Sequence, residues 1–145
     1  DRYGVDGNLY DITDIENLVK TGGQVVLIDT GTGGQTGGPK AGVFMKNLAA
    51  AGVDPASVNH IVISHFHPDH IFGLMTKAPE NRMVFPNAVV YVPSVEYKFW
   101  MDPAGKSASE KAKPVPPGSN STAAIVLHHP ECKYYAVRTA AEGTS

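Results

Sequence analysis

A chain of 145 residues with 42% hydrophobic content is long enough to bury a core of its own and fits a single domain, 1–145. A formal charge of −2 offers no basic surface for a nucleic acid or an anionic membrane. The single cysteine, Cys132, excludes an internal disulfide framework and a cysteine-based zinc knot. No apolar run approaches the roughly 18 residues a membrane span needs.

The chain begins at Asp1 rather than Met and shows no signal-like apolar segment, so it reads as a processed protein, a recombinant product or a piece of something longer. That leaves cytoplasm and bacterial periplasm equally open. Residues 1 to 14 are polar and predict no element. In "ENLVKTGGQVVLIDTG", Leu18-Val19 reads as a short strand, Thr21-Gly22-Gly23 as a hairpin turn and Val25 to Ile28 as a buried strand that stops at Asp29-Thr30-Gly31. "GTGGQTGGPK" follows, with five glycines before Pro39, and predicts a flexible loop on the rim of whatever site the strand ends build. It does not fit a dinucleotide fingerprint, because Thr36 stands where the last glycine should, and no Gly-Lys-Ser/Thr follows.

From Ala41 to Ala51, apolar Val43, Phe44, Leu48 and Ala51 fall on one helix face, with Gly52 as the stop. Asp54-Pro55 turns the chain into Val58 to Ile63, a β-branched strand, in which His60 is expected to be structural and partly exposed. Ile71 to Lys77 predicts a short helix ended by Pro79, with Phe72 and Met75 packing behind the histidine cluster. Ala88 to Val92 predicts a further strand, and Ser94 can cap a helix over Val95 to Met101, whose Tyr97, Phe99 and Trp100 either wall a pocket or fill the core. Residues 102 to 122 are Pro, Ser, Lys and Gly with almost no apolar content and predict a flexible linker. In the tail, 123 to 145, "AAIVLHH" and "YYAV" predict two last strands. Strand and helix alternating in this order imply an α/β or α+β layered fold.

The chemistry is concentrated in "VNHIVISHFHPDHIFGL". Three of the six histidines, His65, His67 and His70, crowd here with Asp69 at the exit of a strand. Pro68 disfavours helix at His67, so residues 65 to 67 stay extended and the imidazoles of His65 and His67, two apart, point the same way. Asp69 and His70 open the next helix and can turn back to the same point. Imidazole and carboxylate donors suit a catalytic zinc with an open coordination position, and iron or manganese tolerates the same set. The pattern arises by chance about once in two thousand chains of this composition.

"SHFHPDHIFGL" resembles the His-x-His-x-Asp-His signature of the metallo-β-lactamase fold. "QVVLIDTG" is similar to that family's earlier strand ending in Asp-x-Gly, and "FPNAVVYV" followed by "FW" to the branch containing methyl parathion hydrolase and acyl-homoserine lactonases. The resemblance covers residues 17 to 101. It implies a four-layer αββα sandwich with the site at one edge of its sheets, and hydrolysis of small esters, lactones or β-lactams by metal-activated water. Carried over by position, His65 and His67 would bind a first ion and Asp69 and His70 a second, with Asp29 orienting the site from behind. Asp69, if it binds no ion, would be the general base.

The family's later motifs are not recognisable. His128 and His129 are weak stand-ins for the late histidines, and no aspartate follows Asp102. The chain therefore looks like the N-terminal half of the sandwich, partial or truncated, with an apolar sheet face that a second copy of the chain is expected to cover. The expected partners are thus a small-molecule substrate and that second copy. The alternative function is a metal-binding remnant acting as a structural or oligomerisation module.

Overall fold

A computed structural model of the chain describes residues 9–11, 17–35, 42–101, 127 and 129–138. The expected linker, His128 and the chain beyond Arg138 lie outside the described residues. Six strands form one sheet in the order β1 (Leu9–Asp11), β2 (Asn17–Thr21), β3 (Gln24–Ile28), β4 (His60–Val62), β5 (Val89–Pro93) and β6 (Lys133–Val137). The first three run antiparallel. The pairs β3–β4, β4–β5 and β5–β6 are parallel.

The hairpin between β2 and β3 closes on Gly22 and Gly23 at φ +54° and +77°, the left-handed backbone a two-residue turn demands. β1 was not legible from the sequence. Its residues carry no apolar alternation, and it joins the sheet through backbone pairing with β2 alone.

The parallel strands are linked by α1 (Phe44–Ala50), by α2 (Pro68–Ile71) with a 3₁₀ turn at Phe72–Leu74, and by α3 (Ser94–Met101). Neighbouring strands in sequential order with crossovers of one hand place every helix on the same face of a sheet. The burial agrees. Leu18, Leu27, Ile61 and Val90 stand side by side across four strands, fully buried beneath Phe44, Leu48, Ile71, Leu74 and Phe85. The residues between them point the other way, and there the sheet is open: Val62 is 40%, Tyr135 62% and Val137 39% exposed. The described residues thus form two layers, an αβ half of the implied sandwich.

Three elements differ from expectation. The helix expected over Ala41–Ala51 is Phe44–Ala50, and Val43 and Ala51 are exposed, so Phe44 and Leu48 alone carry its buried face. Its end is a paired one: Gly52 N–H donates to Ala49 and Val53 N–H to Leu48, with Gly52 at φ +70°. The helix expected over Ile71–Lys77 instead begins at Pro68 and is over by Leu74. Proline at the first helical position supplies its φ in advance, while Met75 leaves as extended chain and bridges Met83. In "AAIVLHH", expected as a strand, Leu127 is helical and buried in the core. The expected strands 58–63 and 88–92 are realised as β4 and β5, and "YYAV" as β6.

Candidate metal centre

Asp29 and His65 lie just beyond the carboxyl ends of adjacent parallel strands, β3 and β4, where open α/β sheets present their binding crevices. Asp29 is 4% exposed and holds φ +60°, a conformation aspartate tolerates better than most residues. Its Oδ1 accepts from Ser64 N–H at 2.7 Å. Its Oδ2 lies 2.8 Å from both Ser64 Oγ and His70 Nδ1. One buried carboxylate thereby ties the end of β3 to the loop after β4 and to α2. Thr30, fully buried, adds a second tie: its N–H and its hydroxyl both donate to the His70 carbonyl, at 2.8 and 3.0 Å.

These ties turn the Nδ1 atoms inward and the Nε2 atoms of His65 and His70 outward. His65 Nδ1 sits 3.0 Å from Ser64 Oγ, and its Nε2 faces His67 Nδ1 at 3.1 Å. His70 Nδ1 is held by Asp29, and its Nε2 lies 3.6 Å from Asp69 Oδ2. The rings of His65 and His70 pack at a 47° tilt with centroids 3.8 Å apart, so both pairs belong to one cluster. Burial first, then the neighbouring His70 and His67, hold the His65 imidazole below its ordinary pKa, which keeps it neutral and able to donate a lone pair. The Asp69 side chain is 48% exposed, and His67 is exposed as well.

The backbone between the two leading histidines is held from a third strand end. Glu96, in the first turn of α3, accepts from Phe66 N–H and from Trp100 Nε1–H, both at 2.9 Å. Glu96→Ala is expected to cost about 1–3 kcal/mol, with Glu96→Gln losing less because it keeps one acceptor oxygen; urea denaturation of the two variants checks it. The described part of the glycine-rich loop is anchored rather than flexible. Gln35 Nε2 donates to the carbonyls of Phe72 and Met75 at 2.9 Å each, and Gly73 N–H donates to Gly31 at 2.9 Å. Residues 36–40 lie outside the described residues.

A model of the metallo-beta-lactamase superfamily matches residues 17–130. The chain belongs to that superfamily. Among solved structures, this metallo-beta-lactamase domain is similar to AidC, a dizinc quorum-quenching lactonase in complex with a product, at 30% identity and TM-score 0.62, covering 91% of this chain and 44% of that one. It is similar to the hydrolase AbOPH of the beta lactamase superfamily at 28% identity and TM-score 0.65, covering 89% and 44%. It also shares the fold of a quorum-quenching N-acyl homoserine lactone lactonase, at 20% identity and TM-score 0.55. The chain therefore spans less than half the length of these relatives. No protein among those with curated descriptions matches it.

The donors present fit a divalent ion in chemistry and spacing, but not in number. Two nitrogens bound tetrahedrally at about 2.05 Å stand about 3.3 Å apart, close to the His65–His67 separation of 3.1 Å. Asp69 with His70 forms a second such pair. Among the described residues no three His, Cys, Asp or Glu side chains close on one point as a complete metal-holding group. His129, the weak late candidate, turns its Nδ1 to accept from Glu131 N–H within its own turn. Burial pushes the Cys132 thiol up to about 11, which keeps it protonated at neutral pH.

The other expected roles are settled by packing. His60 lies on the open face, with Tyr91 OH at 3.3 Å and Gln24 Oε1 at 3.2 Å. Phe72, Tyr97 and Trp100 pack partly buried against the core, and Met75 is buried within it.

Ser64, Thr30 and Glu96 are the site residues the sequence reading missed. Ser64 is adjacent to the motif. Thr30 and Glu96 bond to partners 40 and 30 residues away, and no local pattern announces them.

Proposed function

We propose that this chain carries the leading part of a metal-dependent hydrolase site acting on a small ester, lactone or β-lactam. The observation that supports it best is the division of labour among the ring nitrogens. His65 and His70 turn Nδ1 toward Ser64 and Asp29, and their Nε2 atoms face His67 Nδ1 and Asp69 Oδ2. His65 and His67 would hold one ion and Asp69 with His70 another, zinc first by ligand type, with iron or manganese as alternatives. A bound ion supplies acidity to water and positive charge to the oxygen under attack. Asp29 and Ser64 keep the histidines oriented. Asp69, open to solvent and beside His70, takes the water proton if its carboxylate is not engaged otherwise. The 28–30% identical lactonase and hydrolase relatives favour this class of substrate.

A second reading is supported by the donor count: metal binding without efficient turnover, the sheet's open apolar face being covered by a second copy of the chain. One experiment separates the two. Purified chain is analysed for zinc per chain and native mass, then assayed against nitrocefin, acyl-homoserine lactones and p-nitrophenyl esters with and without chelator. Hydrolysis that the chelator abolishes and zinc restores is the expected result. Since partners behind the ligands are typically worth 10–100-fold, loss of a direct donor in His67→Ala should remove more than about 99% of it. Stoichiometric metal with no chelator-sensitive hydrolysis favours the second reading, and a chain that takes up no zinc, iron or manganese sinks both.

A further inference from the structure

We propose that the Ser64 hydroxyl is a positioning group that sets the tautomers of His65 and His70, and so decides which nitrogen each ring offers outward. The case rests on proton counting. Ser64 Oγ has one proton and two lone pairs, and three groups surround it: Asp29 Oδ2 at 2.8 Å, His65 Nδ1 at 3.0 Å and His70 Nδ1 at 3.2 Å. The Asp29 carboxylate can only accept, so the hydroxyl proton goes to it. If that proton pointed at a histidine instead, two oxygens would face each other at 2.8 Å with nothing between them. The remaining lone pairs then face both Nδ1 atoms, which must carry protons. His70 has a second reason to do so, since its Nδ1 also lies 2.8 Å from Asp29 Oδ2. His65 Nδ1 has only the serine, while its Nε2 faces His67 Nδ1, so the one proton between those two nitrogens sits on His67. A free histidine side chain favours the opposite tautomer, with the proton on Nε2, so Ser64 holds His65 against its intrinsic preference. With Nδ1 protonated, the His65 Nε2 lone pair points at His67 Nδ1, 3.1 Å away.

This inference rests on the metal reading above for its purpose, but its primary observable needs no metal. The full chain, ¹⁵N-labelled and metal-free at about pH 8, where imidazoles are neutral, is read by long-range ¹H–¹⁵N correlation of the histidine rings. Wild type should show His65 and His70 protonated at Nδ1. In Ser64→Ala, His65 should pass to a mixture dominated by the Nε2–H form while His70, still held by Asp29, keeps its proton; Ser64→Thr should restore His65. Zinc affinity, measured by competition with a chromogenic chelator, should fall about 10–100-fold in Ser64→Ala and recover in Ser64→Thr. Nε2–H at His65 in wild type, or an unchanged tautomer in Ser64→Ala, overturns the proposal. Wild-type chain that shows the stated tautomers yet takes up no zinc supports the Ser64 assignment and overturns the metal reading.

Discussion

Gly73→Ala is expected to destabilise the chain by about 3–5 kcal/mol, from overpacking together with the loss of interfacial hydrogen bonds. A Cβ on Gly73 would stand 1.8 Å from the Thr30 carbonyl oxygen, 2.8 Å from its carbonyl carbon and 3.1 Å from its Cβ. Two of these atoms are backbone and cannot rotate away. The strand exit at 29–31 would have to lift off the 3₁₀ turn after α2. That movement breaks the Gly73 N–H bond to Gly31 and both Thr30 bonds to the His70 carbonyl. These bonds fix where His70 stands relative to Asp29, so zinc affinity should fall with stability. Urea denaturation gives the first quantity and chelator competition the second. Gly22→Ala is the control. Its Cβ meets nothing within 4 Å, and only its positive φ of +54° penalises alanine, so it should cost about 1 kcal/mol. Equal costs at the two positions would show that the close approach at Gly73 is not what holds the strand exit against the turn.

Asp29→Ala should cost a similar amount, about 3–5 kcal/mol, because it orphans three donors at once: Ser64 N–H, Ser64 Oγ–H and His70 Nδ1–H. Part of the loss is conformational, since alanine tolerates φ +60° less well than aspartate. Asp29→Asn separates the contributions. Asparagine accepts the same backbone and keeps one oxygen for the Ser64 amide, but turns an NH₂ toward two donors. A cost of about 2–3 kcal/mol is expected for it, with a 10–100-fold loss of zinc affinity as the His70 ring loses its anchor. Denaturant midpoints and metal competition on the two variants measure this. If Asp29→Asn binds zinc as tightly as wild type, the carboxylate does not orient His70.

The Gly73 and Asp29 variants act on contacts that join residues 35 to 43 positions apart, and these contacts mark the limit of what could be read in advance. Strands β2 to β5 were legible because Leu18, Leu27, Ile61 and Val90 sit in short apolar runs bounded by Gly, Asp or Pro, and a half-buried sheet requires that pattern. The motif was legible for a similar reason. Pro68 both keeps His67 extended and starts the next helix, so the directions of His65, His67 and His70 follow from local rules. Helix extents were less legible. Val43 and Ala51 fit the apolar periodicity of α1 yet face solvent, because burial is decided by what lies opposite, and there Phe44 and Leu48 suffice.

The order of residues alone thus determined the strand–helix alternation, the histidine-rich turn and its donor chemistry, since each depends on side chains within a few positions of one another. Tertiary structure decided that the Nδ1 atoms of His65 and His70 turn toward Ser64 and Asp29, that Glu96 and Thr30 bond to the backbone around the histidines, and that Gly73 must lack a side chain. Among the described residues it also left one face of the sheet uncovered. Those outcomes depend on strand register, which ends β3 and β4 level at Ile28 and Val62 and carries β5 two residues further beside them. Hydrogen-bond partners so distant along the chain are specified only when the sheet has formed.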